Sequence, residues 1–315
     1  MSKAATIRDV AARAGVSVSV VSRVLNGTGP VAPAKREQVL EAIEALAYRP
    51  RAAARELSHG RSETIGLLLA DLTNPFFARL ADRVVAEARS RDLQIVLMTT
   101  QEDPHLEGQA LDTLLDRSVG GMIATPTGRN VRRWEKLAAL DIPLVFVDRS
   151  VTELERVDVV SIENVDSAAT ATAHLLDRGH TRIGIVSGPL DTTTGVERVR
   201  GYERALRARG VERDDRLVRP AAFRGDRGAD VVAGMLALDD PPTALVVANT
   251  AQVRVVLKML AQARIAIPDD LSVVVFDDNP WTELIRPPLT AVRQPIDMLA
   301  LHSVELVHAP HAGVH

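Results

Sequence analysis

The feature that most constrains this fold is a regular alternation of short apolar runs with amphipathic segments, which begins at Thr64 and starts again at Arg182. Runs of the kind that a buried parallel strand requires cover residues 64–69, 93–98, 121–124, 144–147, 182–187, 244–247 and 272–276. Helical periodicity falls between them, at residues 75–89, 106–115, 131–140, 197–209 and 251–264. The alternation predicts two doubly wound α/β subdomains, with a ligand between them at the carboxyl ends of the strands.

The composition excludes several classes of protein. The 315 residues contain no cysteine, so disulfide frameworks, thiol nucleophiles and cysteine zinc sites are excluded. The sequence lacks an apolar run of about 18 residues, and its first residues meet a charge before a signal peptide could form, so we expect a cytoplasmic protein without membrane spans. Motifs typical of hydrolases, metalloproteases and nucleotide-binding loops are missing, so we expect neither an enzyme nor a cofactor.

Histidines are concentrated late in the chain, at His302, His308, His311 and His315. Their spacing matches no tight zinc site, and we interpret them as incidental rather than as metal ligands.

The first 60 residues differ in charge from the rest. They carry nine basic and five acidic side chains, a net charge of +4, whereas the whole chain has a net charge of −3 and the remainder therefore carries −7. A basic head on an acidic body is typical of a head that binds a polyanion, although a merely solvated basic face would give the same charge.

The pattern of this head predicts three short helices. Thr6 followed by Asp9 forms a capping-box-like start, and Gly15 ends the first helix. Ser17 is the N-cap candidate of a second helix, residues 18–25, and a third helix follows Pro33. The tight connection predicts a helix-turn-helix, whose second helix presents small polar, methyl-bearing and Arg side chains suited to the major groove.

Two segments of the head, residues 6–27 (TIRDVAARAGVSVSVVSRVLNG) and residues 39–50, which end in AYRP, resemble the LacI/GalR family of transcriptional regulators. The resemblance implies that Val18, Ser19 and Arg23 read bases and that Ser22 faces a phosphate. The further DNA-binding residues that it implies are Thr6, Ser17, Asn26 and Tyr48. Ala32 departs from the family, which usually has a Ser or Thr cap there.

The Ala-rich segment that follows, residues 51–63, resembles the family's hinge. The resemblance implies that Leu57 wedges into the minor groove beside Ala54 when two copies pair on DNA. A plain linker is the alternative interpretation. Arg51 and Glu56 depart from the usual Asn and Ser.

The body resembles the family's effector-binding core, which is similar to periplasmic sugar-binding proteins. The matching segments are NPFF (residues 74–77), VDR (147–149), LDRGH (176–180), AN (248–249), FDD (276–278) and PLTAVRQP (288–295). The expected domains are the head (residues 1–50), the hinge (51–63) and the core (64–315), with one subdomain formed by residues 64–162 and 292–315 and the other by residues 163–291.

The resemblance places nine residues against the effector: Phe76, Phe77, Asp148, Thr194, Arg198, Phe223, Asn249, Asp277 and Gln294. Carboxylates and an Arg beside aromatic rings suit a polyol. The alternatives are that Asp148 and Asp277 cap the following helices and that Phe76 or Phe77 is plain core. Thr250 stands where an Asp is usual, and Thr192 stands where purine-binding members use an Arg, which favours a neutral sugar or sugar derivative over a purine.

These observations predict a transcriptional regulator, most simply a repressor, that acts as a homodimer or dimer of dimers on palindromic double-stranded DNA and responds to a sugar-like effector. A solute-binding protein would share the core but would need an export signal, and a sugar-processing enzyme would need an acid–base pair in the cleft. Family members continue past residue 307 with a final strand, which residues 308–315 do not resemble.

Overall fold

The computed structural model describes residues 5–26, 29–48, 62–140, 142–225 and 227–309. These residues belong to two compact units, one that ends at Glu63 and one that begins at Thr64.

The first unit is a three-helix head, with α1 (Ile7–Ala14), α2 (Val18–Asn26) and α3 (Pro33–Ala45). The predicted capping box is present: the backbone N of Thr6 donates to the Asp9 carboxylate at 2.7 Å, and the Thr6 hydroxyl accepts from the Asp9 backbone N at 3.4 Å. The buried core of the head consists of Val10, Ala11, Ala14, Val21, Val39, Ala42 and Tyr48. The predicted helix-turn-helix is therefore confirmed.

The second unit contains two five-stranded parallel sheets. The first sheet consists of β1 (Thr64–Leu69), β2 (Gln94–Thr99), β3 (Gly121–Ala124), β4 (Leu144–Val147) and β5 (Asp158–Val160), in the order β2-β1-β3-β4-β5. Its helices are α4 (Pro75–Arg89), α5 (Pro104–Asp116), α6 (Val131–Ala138) and, from the far end of the chain, α11 (Ile296–His308). We call this sheet and its helices the first lobe.

The second lobe repeats the arrangement. Its strands are β6 (Ile183–Ser187), β7 (Val218–Pro220), β8 (Ala244–Val247), β9 (Ser272–Phe276) and β10 (Thr290–Val292), in the order β7-β6-β8-β9-β10. Its helices are α7 (Asn164–Leu176), α8 (Thr193–Ala208), α9 (Arg227–Leu236) and α10 (Thr250–Gln262), with single 3-10 turns at Asp215–Leu217 and Pro280–Leu284. In each lobe the first strand in the chain lies between the second and the third.

The central strands of each sheet are buried on both faces, as the apolar runs predicted. In the first lobe, Leu67 and Leu69 pack with α4 and α11, whereas Leu68 on the other face packs against Trp134 and Phe146. The tryptophan and phenylalanine rings meet edge to face at 5.1 Å. The predicted class, a helix-turn-helix head with a core of two doubly wound parallel sheets, is confirmed.

Some predicted bounds are wrong. Helix α8 begins at Thr193 rather than at residue 197, because the Thr192 hydroxyl caps it by accepting from the backbone N of Gly195 at 3.2 Å. Strand β10 pairs with β9 through Val292, so the second lobe extends one residue beyond the expected boundary at residue 291. The sequence pattern also left out three short edge strands, β5, β7 and β10, and the helices α7, α9 and α11.

Candidate functional site

A small cavity lies between the two lobes, at the carboxyl ends of their strands. Twelve residues line it: Asn74, Phe76, Phe77, Asp148, Arg149, Thr194, Arg198, Phe223, Asn249, Thr250, Asp277 and Gln294. The free space at its centre is about 20 Å³, little more than one water molecule occupies. A larger ligand therefore requires the lobes or the lining side chains to move apart.

The aromatic part of the wall comes from the start of α4 in the first lobe. The side-chain oxygen of Asn74 caps this helix by accepting from the backbone N of Phe76 at 3.1 Å. The rings of Phe76 and Phe77 meet edge to face, with their centroids 5.0 Å apart. Both rings belong to the buried core of the first lobe and also line the cavity, so the two alternatives for these residues hold together.

Asp148 directly follows β4 and takes a left-handed backbone conformation, with φ 72°. Burial raises the pKa of its carboxyl group, and the neighbouring Arg149 and Arg198 oppose this shift. The Arg149 guanidinium is buried and donates to the two carboxylate oxygens of Glu102, at 3.0 and 2.7 Å.

Arg198 reaches the cavity from α8 in the second lobe. Its Nε donates to the side-chain oxygen of Asn164 at 2.9 Å, and its Nη1 donates to the carbonyl of Ala248 at 2.7 Å. The guanidinium also lies 4.3 Å from the centroid of the Phe276 ring. Burial lowers the pKa of Arg198, and the negative charges of Asp277 and Asp148 oppose this shift.

Asp277 follows β9 as Asp148 follows β4, and it has the same left-handed conformation, with φ 69°. Its carboxylate accepts from the Thr250 hydroxyl and, at 2.5 Å, from Nε2 of Gln294. The carboxylate is thus used to link three residues of the cavity wall rather than to cap a helix.

Three residues that line the cavity each have a buried polar atom without a hydrogen-bond partner among the described residues. The atoms are the hydroxyl oxygen of Thr194, the side-chain nitrogen of Asn249 and Nε of Arg149, which lies 3.5 Å from the Asp148 carboxylate. The carbonyl oxygen of Asn249 is occupied, since it caps α10 by accepting from the backbone N of Ala251 at 2.8 Å. A buried polar group without a partner costs roughly 1–3 kcal/mol, which a ligand with hydroxyl groups could recover.

Phe223, in the loop after β7, brings an aromatic ring from the second lobe. The centroid of this ring lies 4.5 Å from the guanidinium carbon of Arg149, so the contact spans the two lobes. The next residue, Arg224, donates to the Asp71 carboxylate at 2.9 Å and to the Gln101 side chain at 2.9 Å.

A second pair of charges bridges the lobes on another rim of the cleft. Arg129 donates from Nε to the Asp191 carboxylate at 3.0 Å. The fully buried Glu107 fixes the loop that carries Arg129. Its carboxylate accepts from the backbone N and the hydroxyl of Thr127, at 2.6 and 2.9 Å, and from the side-chain nitrogen of Asn130 at 2.6 Å. Three of the four bridging residues lie close to cavity residues in the chain: Asp71 precedes Asn74, Asp191 precedes Thr194, and Arg224 follows Phe223.

The structure brings all nine expected effector residues around this one cavity. Asn74, Arg149 and Thr250 also line it but were not expected to do so. The signal for them was present, because each lies within two residues of an expected one or of the motif that carries it. Glu102, which fixes Arg149, gave no such signal.

In the head, the start of α2 presents side chains to the outside. Ser17, Val18, Ser19 and Arg23 are exposed, whereas Val21 on the opposite face is fully buried. Thr6 is exposed and caps α1, Ser22 is half-buried, and Asn26 is the last residue of α2. Tyr48 is 8% exposed and packs in the core of the head, so its ring stabilises the fold whatever its hydroxyl contacts. Ala54 and Leu57 lie outside the described residues.

None of the described helices combines the length and the apolar character needed to cross a bilayer.

The family model for bacterial regulatory proteins of the lacI family matches residues 6–51, and a periplasmic binding protein-like domain matches residues 172–312. Catabolite control protein A of Priestia megaterium is 32% identical over 292 residues, which cover 92% of this chain and 88% of that protein. The complex of the regulator CelR with cellobiose has 31% identity and a TM-score of 0.72, and the match covers 96% of this chain and 92% of the other.

A lac repressor dimer bound to operator and to the anti-inducer ONPF gives a TM-score of 0.83 at 25% identity, over 97% of this chain and 92% of the other. The helix-turn-helix head, the cavity between the lobes and the similarity to known regulators all indicate the same family, and the resemblance inferred from the sequence is confirmed. This chain belongs to the LacI family of bacterial regulatory proteins and is a DNA-binding transcriptional regulator that responds to a small-molecule effector.

Proposed function

We propose that the effector is a neutral sugar or sugar derivative that binds in the cavity between the lobes. The observation that carries this proposal is the pair of unpartnered buried atoms, the Thr194 hydroxyl and the Asn249 side-chain nitrogen, on a wall that also presents Phe76, Phe77 and Phe223. A pyranose or furanose offers hydroxyl groups to these two polar atoms and an apolar face to the aromatic rings. The relative CelR, whose complex contains cellobiose, supports a sugar.

The charges around the cavity favour a neutral ligand. Asp148, Asp277 and Glu102 bring three carboxyl groups, against the guanidinium groups of Arg149 and Arg198. Glu102 already engages both Nη atoms of Arg149, and Asn164 and Ala248 engage Arg198, so the phosphate of a sugar phosphate would have to compete with these partners. We propose that the site binds the sugar without converting it, because the Asp277 carboxylate is engaged by Thr250 and Gln294.

A thermal-shift panel tests the effector class. D-ribose, D-glucose, D-galactose and cellobiose represent neutral sugars, and glucose 6-phosphate, guanine and hypoxanthine represent the alternatives. A sugar at 100 times its Kd stabilises the folded state by about 2.7 kcal/mol, which raises the Tm of a core of this size by roughly 5–10 °C. Stabilisation by a purine or by the sugar phosphate alone would refute the neutral-sugar proposal.

Asp277→Asn is the matched test of the site itself. It keeps the shape of the side chain but removes the charge that Thr250 and Gln294 stabilise. We expect it to remove the sugar-dependent shift, whereas Asp112→Asn, at an exposed surface ion pair with Arg133, should leave the shift intact.

We propose that the exposed start of α2 reads the operator, with Val18, Ser19 and Arg23 at base edges and Ser22 at a phosphate, and that the chain acts as a repressor in the cytoplasm, where its DNA is. Selection from random duplex DNA should return a palindromic site. Arg23→Ala should reduce affinity and relax specificity at one base position. Arg13→Ala, which removes an exposed charge from the last turn of α1, should weaken binding less and equally for all sequences. Equal effects of both variants on all sequences would refute the assignment.

We propose that the chain works as a homodimer or as a dimer of dimers. Strand β2 is an edge of the first sheet and exposes Leu97, and Leu284 in the second lobe is 75% exposed. Unpaired strand edges and exposed large apolar side chains favour protein contacts, and the lac repressor neighbour on its operator is a dimer. Light scattering should give at least two copies, and Leu284→Glu or Leu97→Glu should lower that number. A monomeric wild-type chain bound to a palindrome would refute the proposal.

The two functions are coupled, we propose, through a change in the angle between the lobes. Ligand entry must enlarge a cavity of about 20 Å³, and the Arg129–Asp191 and Arg224–Asp71 pairs bridge the lobes that move. Differential affinity of the effector for two lobe arrangements typically supplies 1–3 kcal/mol, or about 5–150-fold in operator affinity. Operator titrations with and without the sugar found in the panel measure this factor.

A further inference from the structure

We infer that Gly188 is a specificity-determining residue of the effector cavity, because its missing side chain is what allows Phe223 to lie on the cavity wall. The inference rests on the proposed assignment of this cavity as the effector site. It concerns the size of the ligand that the cavity accepts.

Gly188 is the residue that follows β6. A Cβ atom placed on its backbone would lie 2.5 Å from both Cε1 and Cζ of the Phe223 ring, a separation that real Cβ atoms do not show. The edge of the ring therefore rests directly on the Gly188 backbone. Any other residue at this position would have to displace the ring.

The backbone conformation gives no other reason for a glycine here. Gly188 is not among the glycines of the chain with positive φ, so an L-residue could adopt its conformation without strain. The requirement at this position is for space, and the space is taken by one side chain.

A neighbouring glycine shows the contrast. At Gly195, in the first turn of α8, a Cβ would lie 2.0 Å from the carbonyl oxygen of Pro189, which is backbone and cannot move away. Gly195 is therefore needed for the fold of this loop. At Gly188 the atoms in the way belong to a side chain that lines the cavity.

The face of the Phe223 ring is located by a second contact. The guanidinium carbon of Arg149 lies 4.5 Å from the ring centroid, and this guanidinium is fixed by its two hydrogen bonds to Glu102. The edge of the ring thus lies on Gly188 and its face lies on Arg149. The cavity between the lobes that this ring helps to line has only about 20 Å³ of free space, so a displacement of about one ångström changes what fits in it.

The test uses five proteins: the wild type, Gly188→Ala, Phe223→Leu, the double variant and Gly234→Ala. Gly234 lies exposed on α9, and a Cβ there would meet nothing within 4 Å, which makes this variant the matched control. Binding of D-ribose, D-glucose and cellobiose is measured by calorimetry, and thermal unfolding is measured without ligand.

We expect Gly188→Ala to weaken the best-bound of these sugars by about ten-fold or more, and cellobiose more than D-ribose. The control should bind like the wild type. The double variant should bind like Phe223→Leu alone, because the added methyl group has no ring to displace. In the absence of ligand, Gly188→Ala should lower the Tm more in the presence of Phe223 than in the Phe223→Leu background.

The inference is overturned if Gly188→Ala changes the Tm equally in both backgrounds, or if it leaves the relative affinities for the three sugars unchanged. Failure of the wild type to bind any of the sugars would instead refute the proposed effector class. In that case the same five proteins are compared with glucose 6-phosphate, guanine and hypoxanthine, and the inference stands or falls on whether Gly188→Ala changes their relative affinities.

Discussion

Glu107→Gln offers a direct test of how the first lobe holds the loop that reaches across the cleft. Glu107 lies on α5 with no solvent exposure, and its carboxylate accepts from the backbone N and the hydroxyl of Thr127 and from Nδ2 of Asn130. Glutamine has nearly the same shape, but it replaces one of the two accepting oxygens with an amide that donates. The substitution therefore changes the hydrogen bonding without opening a cavity.

The expected cost follows from these three bonds. A glutamine oxygen can keep the bond from the Thr127 backbone, and the Thr127 hydroxyl can rotate to accept from the new amide. The Asn130 side chain cannot turn its oxygen toward the new amide, because its nitrogen also donates to the carbonyl of Pro104 at 2.6 Å and holds the side chain in place. The bond from Asn130 is lost, the bonds with Thr127 lose their charge assistance, and a half-buried donor is left unpaired. Together these changes cost about 3 kcal/mol and lower the Tm by about 6–12 °C for a core of this size.

Thermal and urea unfolding of the full chain measure this cost. The matched control is Glu135→Gln, at an exposed position on α6, which should shift the Tm by less than about 2 °C. A shift for Glu107→Gln no larger than that of the control would show that the buried carboxylate does not fix the loop. The Arg129–Asp191 pair cannot hide the effect, because its side chains are 65% and 45% exposed and such pairs contribute about 1 kcal/mol or less.

Three further substitutions test other features of the structure. Gly201→Ala places a Cβ 2.2 Å from the carbonyl oxygen of Val165, so we expect calorimetry to show a loss of about 1–3 kcal/mol or more, whereas a cost as small as that of Gly234→Ala would contradict the close contact of α7 and α8. Ala32→Ser supplies the side-chain cap that α3 lacks and should stabilise the head by about 0.5–1 kcal/mol, seen as slower amide exchange in α3; unchanged exchange would count against a capping role. Burial raises the pKa of Asp148, so the folded state holds this proton at pH values where the unfolded state has lost it, and stability falls as the pH rises from about 4 through the raised pKa. The stability of Asp148→Asn relative to the wild type should therefore increase from pH 4 to pH 7 in urea titrations, and a constant difference would mean that the pKa is not raised.

Continuous apolar runs were sufficient to predict the central strands. Strands β3 and β8 are each buried throughout, and the predicted bounds of both are those of the structure. Strand β5 has only three residues, two of them exposed, and lies at the edge of its sheet. Such a segment has no apolar pattern of its own, because it pairs on one side only and faces solvent. Helix α8 was predicted to begin at residue 197, whereas it begins at Thr193 and its first turn contains Gly195, which is needed there for a close approach to Pro189.

The cavity residues came from family positions, and the chemistry of the sequence alone would not have selected them. The contacts that give them their properties join distant segments, as in the 47-residue separation between Glu102 and Arg149. Tyr48 shows the reverse problem. It belongs to a family motif that suggests DNA contact, but the burial of its ring in the head core could be seen only once α1 and α3 were placed against each other.

The equal strand order of the two lobes has a consequence for the kind of ligand that fits. In both lobes the loop after the first strand leads to a capped helix, α4 or α8, and an aspartate, Asp148 or Asp277, directly follows the fourth strand. The two helix starts differ in their side chains: one presents Phe76 and Phe77, and the other presents Thr194 and, a turn later, Arg198. The two lobes thus present an aromatic helix start and a hydrogen-bonding helix start to the same cavity, and the molecule that suits both has an apolar face and a face with hydroxyl groups.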